Sequence, residues 1–465
     1  MRIERARGTR DFLPAEMRKR REMEDLMRET AERWGYGEVR TPTFELAELF
    51  TLKSGEEVLK EMYEFRDKGG RHLALRPELT APVVRMFVNE LKMLPKPTKV
   101  YYFGNCFRYE EPQRARYREF WQFGAEIIGS DRPEAQAEII ALASEILKSL
   151  GVSKEAELQV GQVGLLRGLL RGAGLEEGKI NKVMRLLDKG KREEVAVVLS
   201  EAGEAGEKQE LAEDLTHLTG LRGEEALKEA RRIVLSESGS ASGSASGSAS
   251  GSALKELEEL EELLRLLDFY EVRYTLNLGI ARGLDYYTGM VFEIYETGGR
   301  QGKLGAQSQI CGGGSYRLAA LFGGGEVAST GFAFGFDRLV EMFSPEKEGE
   351  DLRRSKVVVV PIRERTATVG GDRDGEVLKT AIKIASRLRE FVPTYLDVMG
   401  RNVGAQMSYA NSTAASFAVL VGREEVREGK VTLKNLETGE QESRSVRQAI
   451  SLLSSSLSSP SRRNT

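Results

Sequence analysis

Between Phe107 and Glu126 the chain places Arg108, Arg114, Arg116 and Arg118 beside Glu110, Glu119, Gln122 and Glu126. The run reads as two polar-studded strands joined by a basic turn. Guanidinium groups at that density suit a polyphosphate, because each offers a fixed fork of donors and a charge that does not titrate away. The carboxylates within the same hairpin's width suit an amino-bearing group. A merely solvated charged hairpin has the same composition, so the run does not decide the matter alone.

Further stretches supply similar chemistry. Arg76-Pro77-Glu78-Leu79-Thr80 adds a carboxylate and a hydroxyl, and the Gly-rich Gly279–Gly289 stretch leads into an alternating strand, Met290 to Tyr295. Gly331 to Leu339 reads as a Gly-rich strand that enters a helix carrying Arg338. The elements that must position these groups are mixed. A charged amphipathic helix is predicted from Pro14 to Trp34, then short strands and the hairpin, then a helix from about Arg132 to Leu150. This is an α+β pattern with antiparallel strands. Short charged helices follow, at Gly164 to Arg171, Ile180 to Leu187, Arg192 to Glu201 and Gly223 to Val234. Ser238 to Ala253 is four copies of Ser-Gly-Ser-Ala. It has no charge and nothing to pack, so it is predicted to be a flexible tether spanning roughly 20–25 Å. Leu254, Leu257, Leu260, Leu264 and Leu267 then form an apolar helical stripe, read as core packing. Beyond a charged hinge at Ser344 to Ser355, strands at Val357 to Ile362, Thr394 to Asp397 and Phe417 to Val421 alternate with helices at Val377 to Glu390 and Val403 to Ala410. That spacing predicts a small α/β unit with a mainly parallel sheet. The Ser-rich end, Ser451 to Thr465, is predicted to be disordered.

Composition narrows the chemistry. A chain of 465 residues with 40% hydrophobic content fills two or three domains. No run of 18 apolar residues and no signal-type start occurs, which predicts a cytoplasmic protein without a membrane partner. Cys106 and Cys311 lack metal-ligand spacing and read as structural thiols in a reducing compartment. His72 and His217 are the two histidines, each read as a surface or helix residue. Histidine acid–base chemistry and zinc are therefore not the main business, and no protein side chain is assigned to a metal. The net charge of −3 argues against a uniformly basic nucleic-acid coat. From Lys356 to Ile450, however, 15 Lys and Arg face 12 Asp and Glu, a local excess of +3 that permits RNA contact. No Gly-x-Gly-x-x-Gly opens a helix after a first strand, and Gly-x-x-x-x-Gly-Lys-Ser/Thr, His-Ile-Gly-His and Lys-Met-Ser-Lys-Ser are all missing, which leaves a Rossmann-type nucleotide site without support.

Taken together, Arg76–Thr80, Phe107–Glu126, Arg282–Tyr287 and Gly331–Leu339 resemble the catalytic domain of class II aminoacyl-tRNA synthetases, and specifically the histidyl-tRNA synthetase family. Arg7–Pro14 resembles that family's N-terminal signature, and Thr41–Glu45 its dimer-forming first motif. Leu396–Asn402 and Phe417–Gly422 resemble its anticodon-binding domain. The resemblance implies a catalytic domain in two parts, 1–159 and 254–343, separated by a helical insertion at 160–236 and a linker at 237–253. A hinge at 344–355, an anticodon-binding domain at 356–450 and a tail at 451–465 complete the layout.

By resemblance, the chain joins L-histidine to tRNA(His) at the expense of ATP, with Mg2+ on the nucleotide, as a homodimer. Arg108 and Arg282 are the implied catalytic residues. Arg108, Glu110, Arg116, Phe120 and Arg338 are the implied ATP contacts, with Glu110 and Phe120 at the adenine. Glu78, Thr80 and Gln122 match positions that grip the α-amino group, while Glu126 and Tyr287 match those that read the imidazole. Arg282, Tyr286 and Tyr316 join the histidine set. Gln113, Arg114, Arg401 and Asn402 are the implied tRNA contacts, and Asp337 is expected to orient its neighbours. Several positions depart from the family pattern: Ala115, Trp121, Ser315-Tyr316-Arg317 and the lysine-free stretch from Gly404 to Tyr409. Two other readings share the fold: a synthetase-like regulatory subunit of ATP phosphoribosyltransferase, and another class II synthetase of the same subclass. The Arg282–Tyr287 motif and the C-terminal unit favour the ligase.

Overall fold

The basic hairpin forms the spine of the larger sheet. In the computed structural model, Thr98–Phe107 and Glu119–Ile128 pair antiparallel, with Thr98 opposite Ile128 and Phe107 opposite Glu119. The structure describes residues 3–52, 60–111, 116–188, 191–200, 205–240, 247–280, 287–298, 304, 308–343, 357–362, 372–413 and 415–458. Eight strands make the sheet, in the order Gly37–Glu38, Thr98–Phe107, Glu119–Ile128, Ser329–Gly335, Gln309–Tyr316, Tyr287–Glu296, Ala156–Gln162 and Thr275–Leu276. Only the two outermost pairings are parallel.

Strand alternation sorts chemistry from core. Tyr102, Gln122, Glu126, Gly331, Gly314 and Tyr316 share one face by register. The opposite face carries Tyr101, Phe123, Ile127, Phe332 and Phe334, all buried. The helices Pro14–Arg33 and Pro133–Ser149 join this core. The first contributes Met23, Met27 and Ala31, a four-residue repeat that keeps all three on one buried stripe. The second opens on Pro133 and Glu134 and closes near Lys148, so its end charges oppose its own dipole.

Helices at Val163–Gly172, Glu177–Asp188, Arg192–Ser200, Ala205–Gly220 and Gly223–Ser240 follow the strand Ala156–Gln162, over the stretch where a helical insertion is expected. The one at Ala205–Gly220 was not expected, because its glutamate-rich start hides the apolar stripe. It carries His217, exposed on its surface, and His72 is likewise exposed. The Ser-Gly-Ser-Ala tether differs from expectation. Helical backbone runs to Ser240 and resumes from Gly247 through Phe269, leaving 241–246 outside the described residues. Extending an existing helix avoids the nucleation cost, so Ser and Ala add little penalty and each Gly about 1 kcal/mol. Ala253, placed at the tether's end, is buried instead, and a Cβ on Gly168 would lie 2.9 Å from its Cα.

The C-terminal sheet runs Thr394–Leu396, Val357–Pro361, Phe417–Val421, Lys430–Asn435, Gln441–Ser445. The first three strands are parallel and the last two antiparallel, so the sheet is mixed rather than mainly parallel. The added hairpin turns where the Asn435 side chain accepts from the Glu437 and Thr438 N–H groups, and Gly439 takes φ +79°. The stretch expected to be a disordered tail is helical from Val446 to Ser458, because Leu453 is fully buried against the unit. Residues 459–465 and the expected hinge at 344–355 lie outside the described residues.

A buried polar cluster docks this unit on the catalytic one. Glu138 accepts from Lys99 Nζ at 2.8 and 3.0 Å and from Tyr36 OH at 3.2 Å, with Arg389 Nη2 at 3.7 Å. Arg389 also stacks 3.6 Å over the Trp34 ring. Ser130 Oγ donates to the Val398 carbonyl at 3.0 Å.

Candidate active site

Above the polar face of the large sheet lies a cavity of about 550 Å3. Every expected ATP- or histidine-contacting residue that is described lines it. Arg282, Tyr286, Gln113 and Arg114 lie outside the described residues.

The floor is built around Glu126, which is fully buried. Its Oε1 accepts from Thr80 Oγ1 and Tyr102 OH, each at 3.0 Å, and its Oε2 accepts from Tyr316 OH at 2.7 Å. Burial pushes this carboxyl up to about 8, against the downward pull of the three hydroxyl bonds. Two glycines make room. A Cβ on Gly331 would sit 1.5 Å from Glu126 Oε2, and one on Gly314 would sit 2.7 Å from Tyr287 Cδ1. Tyr287 is itself buried against this floor.

Beside the floor, Glu78 accepts from the backbone N–H groups of Thr80 at 2.6 Å and Ala81 at 3.0 Å. Those are orphan donors of the helix Thr80–Met86, so the carboxylate completes the helix start while facing the cavity. Burial raises its pKa, opposed by those N–H bonds and by Arg108. Oε2 also takes a longer bond from Ala81 at 3.3 Å, while Oε1 accepts from Ala81 alone and keeps a second acceptor site, which leaves Glu78 capacity for an ammonium. Gln122 Oε1 accepts from the Cys106 thiol at 3.4 Å. Burial pushes that thiol up to about 12, so Cys106 stays protonated and serves as a support.

Toward the other end of the cavity come the arginines. Arg108 donates from Nε to the Pro77 carbonyl at 3.0 Å and lies 5.4 Å from the Phe120 ring centre. Glu110 is paired with Arg116, and its carboxylate lies 3.9 Å from Arg108. Arg338, from the helix Phe336–Met342, donates to the Gln309 carbonyl. Burial lowers its pKa, and the like charges of Arg116 and Arg108 lower it further. Arg338 thus faces the like charges of Arg108 and Arg116 across one cleft, an arrangement that an anion between them relieves.

Sequence reasoning missed Tyr102 and gave Asp337 too small a part. Tyr102 stands opposite Gly124, where a Cβ would come 2.4 Å from its ring, so a Tyr facing a Gly across a hairpin was the available signal. Asp337 Oδ1 accepts from Arg10 at 2.7 Å and Arg20 at 2.8 Å, while Oδ2 accepts from the Trp121 N–H at 2.7 Å. In the C-terminal unit, Asn402 Oδ1 accepts from the Ala405 N–H at 2.9 Å and caps the helix Val403–Ser412. Arg401 lies 3.7 Å from Asp397 and stacks on Tyr409 at 4.7 Å. Neither lines the cavity.

Comparison with known proteins gives the same assignment. The family model described as histidyl-tRNA synthetase matches residues 8–339, and one for an anticodon binding domain matches residues 356–456. A histidine–tRNA ligase of Archaeoglobus fulgidus is 51% identical over 443 residues, covering 95% of this chain and 97% of that protein. One from Methanosarcina acetivorans is 47% identical over 442 residues, covering 95% and 96%. Among solved structures, the apo histidyl-tRNA synthetase of S. aureus aligns with a TM-score of 0.51 at 27% identity, covering 97% of this chain and all of that one. A Bacillus halodurans protein described as an ATP phosphoribosyltransferase regulatory subunit/histidyl-tRNA synthetase aligns at 0.61 with 25% identity, covering 88% and 97%. With catalytic and anticodon-binding models both matched and near-full-length relatives at about half identity, this chain belongs to the histidyl-tRNA synthetase family.

Proposed function

We propose that this one cleft carries the chemistry of a histidine–tRNA ligase, activating L-histidine with ATP and then passing the histidyl group to tRNA(His). The observation that carries the assignment within the cleft is the pairing of a hydroxyl-bonded buried carboxyl, Glu126, with three facing arginines, Arg108, Arg116 and Arg338. One end suits an imidazole and the other a polyphosphate.

In the first step a histidine carboxylate oxygen attacks the α-phosphorus of ATP. The new O–P bond forms as the bond to pyrophosphate breaks, so no protein nucleophile is needed and rate comes from positioning and charge. Arg108 bridges the amino-acid carboxylate and the α-phosphate, Arg116 and Arg338 hold the outer phosphates, and Phe120 stacks the adenine with Glu110 at its edge. Arg282 acts as a fixed cation on the far side of the α-phosphate. Magnesium travels with the nucleotide as part of the substrate and offsets charge on the departing pyrophosphate.

Glu78, Thr80 and Gln122 take the α-ammonium, with Tyr286 and Tyr316 beside the bound histidine. A neutral imidazole donates from one nitrogen and accepts at the other, so Glu126 and Tyr287 on its two sides distinguish it from an apolar ring. The tRNA enters past Gln113 and Arg114, and Arg401 and Asn402 serve the anticodon side. The enzyme works in the cytoplasm as a homodimer. Its two-fold contact uses the small sheet of Phe44–Leu46, His72–Leu75 and Glu64–Arg66, which leaves Phe44 and Leu46 each 53% exposed. Among the described residues no helix is long and apolar enough to cross a membrane.

Amino-acid-dependent pyrophosphate exchange tests the assignment. Exchange with histidine alone among the twenty amino acids is expected. Exchange with proline, threonine or glycine instead would transfer the chain to another synthetase activity, and none at all would favour the regulatory reading.

A further inference from the structure

The N-terminal stretch before the first helix crosses the active-site hairpin. The Gly8 carbonyl accepts from the Arg118 N–H at 2.9 Å, and the Arg118 carbonyl accepts from the Arg108 N–H at 3.0 Å. Arg118 Nε donates to the Glu110 carbonyl at 3.1 Å. Gly8 is thus two backbone bonds from Arg108. It takes φ +83°, and a Cβ there would fall 2.6 Å from Arg118 Cγ, so the crossing is made at a point only glycine fits.

Two residues on, Arg10 stacks 3.8 Å over Tyr117 and donates to Asp337 at 2.7 Å. Arg20, nearly fully buried between Phe12 and Phe336, donates to the same Asp337 oxygen. The other oxygen accepts from the Trp121 N–H, between Phe120 and Gln122. One buried carboxylate therefore ties the N-terminal stretch, the first helix and the second hairpin strand to the start of the helix that carries Arg338.

We propose that Gly8 to Phe12 is a positioning strap for ATP: through Arg118 and Asp337 it fixes the hairpin arginines Arg108 and Arg116 relative to Arg338 before the nucleotide arrives. This rests on the assignment of those arginines to ATP. Glu110 links Arg108 to Arg116, whereas Arg338 stands against both as a like charge, so holding its helix toward the hairpin calls for a restraint. Arg10 and Gly8 are positioning residues that touch no substrate.

The test is Arg10→Ala in the full-length chain, with ATP and histidine varied separately in pyrophosphate exchange and the thermal midpoint measured alongside. Loss of the bond to Asp337 and the stack on Tyr117 predicts a KM for ATP raised about tenfold, with that for histidine within about twofold and a midpoint lowered by no more than about 4 °C. Arg10→Lys should recover part of the loss, since it keeps the charge without the stacked fork. Gly8→Ala, which disturbs the strap without touching Asp337, should give the same ATP-selective change. Arg338→Ala checks the underlying assignment by itself: an unchanged KM for ATP there would sink the ATP reading. If Arg338→Ala raises that KM while Arg10→Ala and Gly8→Ala leave it alone, or raise both KM values equally, the strap is refuted.

Discussion

Glu126→Gln separates recognition from packing at the floor of the cleft. The amide has nearly the carboxyl's shape, and its oxygen can keep the bonds from Thr80 and Tyr102, now 3.0 Å each. Its NH2 faces Tyr316, whose hydroxyl can turn to accept. The empty protein should therefore fold. The carboxyl that meets the imidazole is gone, and a buried mismatch of this kind costs about 1–3 kcal/mol, or roughly 5- to 150-fold in KM for histidine. The KM for ATP should hold, because Arg108, Arg116 and Arg338 are untouched. A second readout follows from the carboxyl's raised pKa. Burial lifts it from 4.5 to about 8, so the folded state holds a proton that the unfolded chain releases. Its contribution is fully present below about pH 4.5, declines as pH rises through that window, and levels off above about pH 8. Glutamine has no proton to lose. Urea unfolding at pH 5, 7 and 8.5 should show the variant gaining on the parent as pH rises. A KM for histidine within twofold of the parent would remove Glu126 from imidazole recognition, and a pH-independent stability difference would refute the protonation argument.

Three further perturbations probe the rest of the account. Arg282→Ala should slow adenylate formation by about two or more powers of ten in single-turnover measurements, with histidine binding weakened less, as befits a transition-state contact. Glu138→Ala leaves the cations of Lys99 and Arg389 buried without their carboxylate; it should cost roughly 3–5 kcal/mol in chemical unfolding. A loss under 1 kcal/mol would show that the docking cluster is not needed. Phe44→Asp, on the exposed small sheet, should shift light scattering toward the 51.7 kDa chain mass, whereas an unchanged dimer would place the two-fold contact elsewhere.

The cleft was largely legible because its chemistry is concentrated in contiguous runs. Arg108 to Glu126 is one hairpin, and strand alternation alone sends Gln122 and Glu126 to the same face. What sequence could not give were contacts across long separations. Asp337 lies 327 residues from Arg10 and 317 from Arg20, and no local pattern marks those three as partners. Periodicity also failed where polar residues form regular structure. Gln441–Ser445 has no buried position to produce an alternation, yet it pairs along its length with Lys430–Lys434. The Ser-Gly-Ser-Ala repeats read as coil by composition, but flanking helices extend into both ends. Around Ser451 to Ser458 the serines drew attention from Leu453, whose burial anchors the last helix.

The central claim is that one cleft reads imidazole at its floor and phosphate at its arginines. A crystal structure of the protein with a non-hydrolysable histidyl-adenylate analogue tests it most directly. The account predicts the imidazole between Glu126 and Tyr287, the phosphate surrogate on Arg108 and the adenine against Phe120. An analogue bound with its imidazole away from Glu126, or with Arg108 turned from the phosphate position, would contradict it.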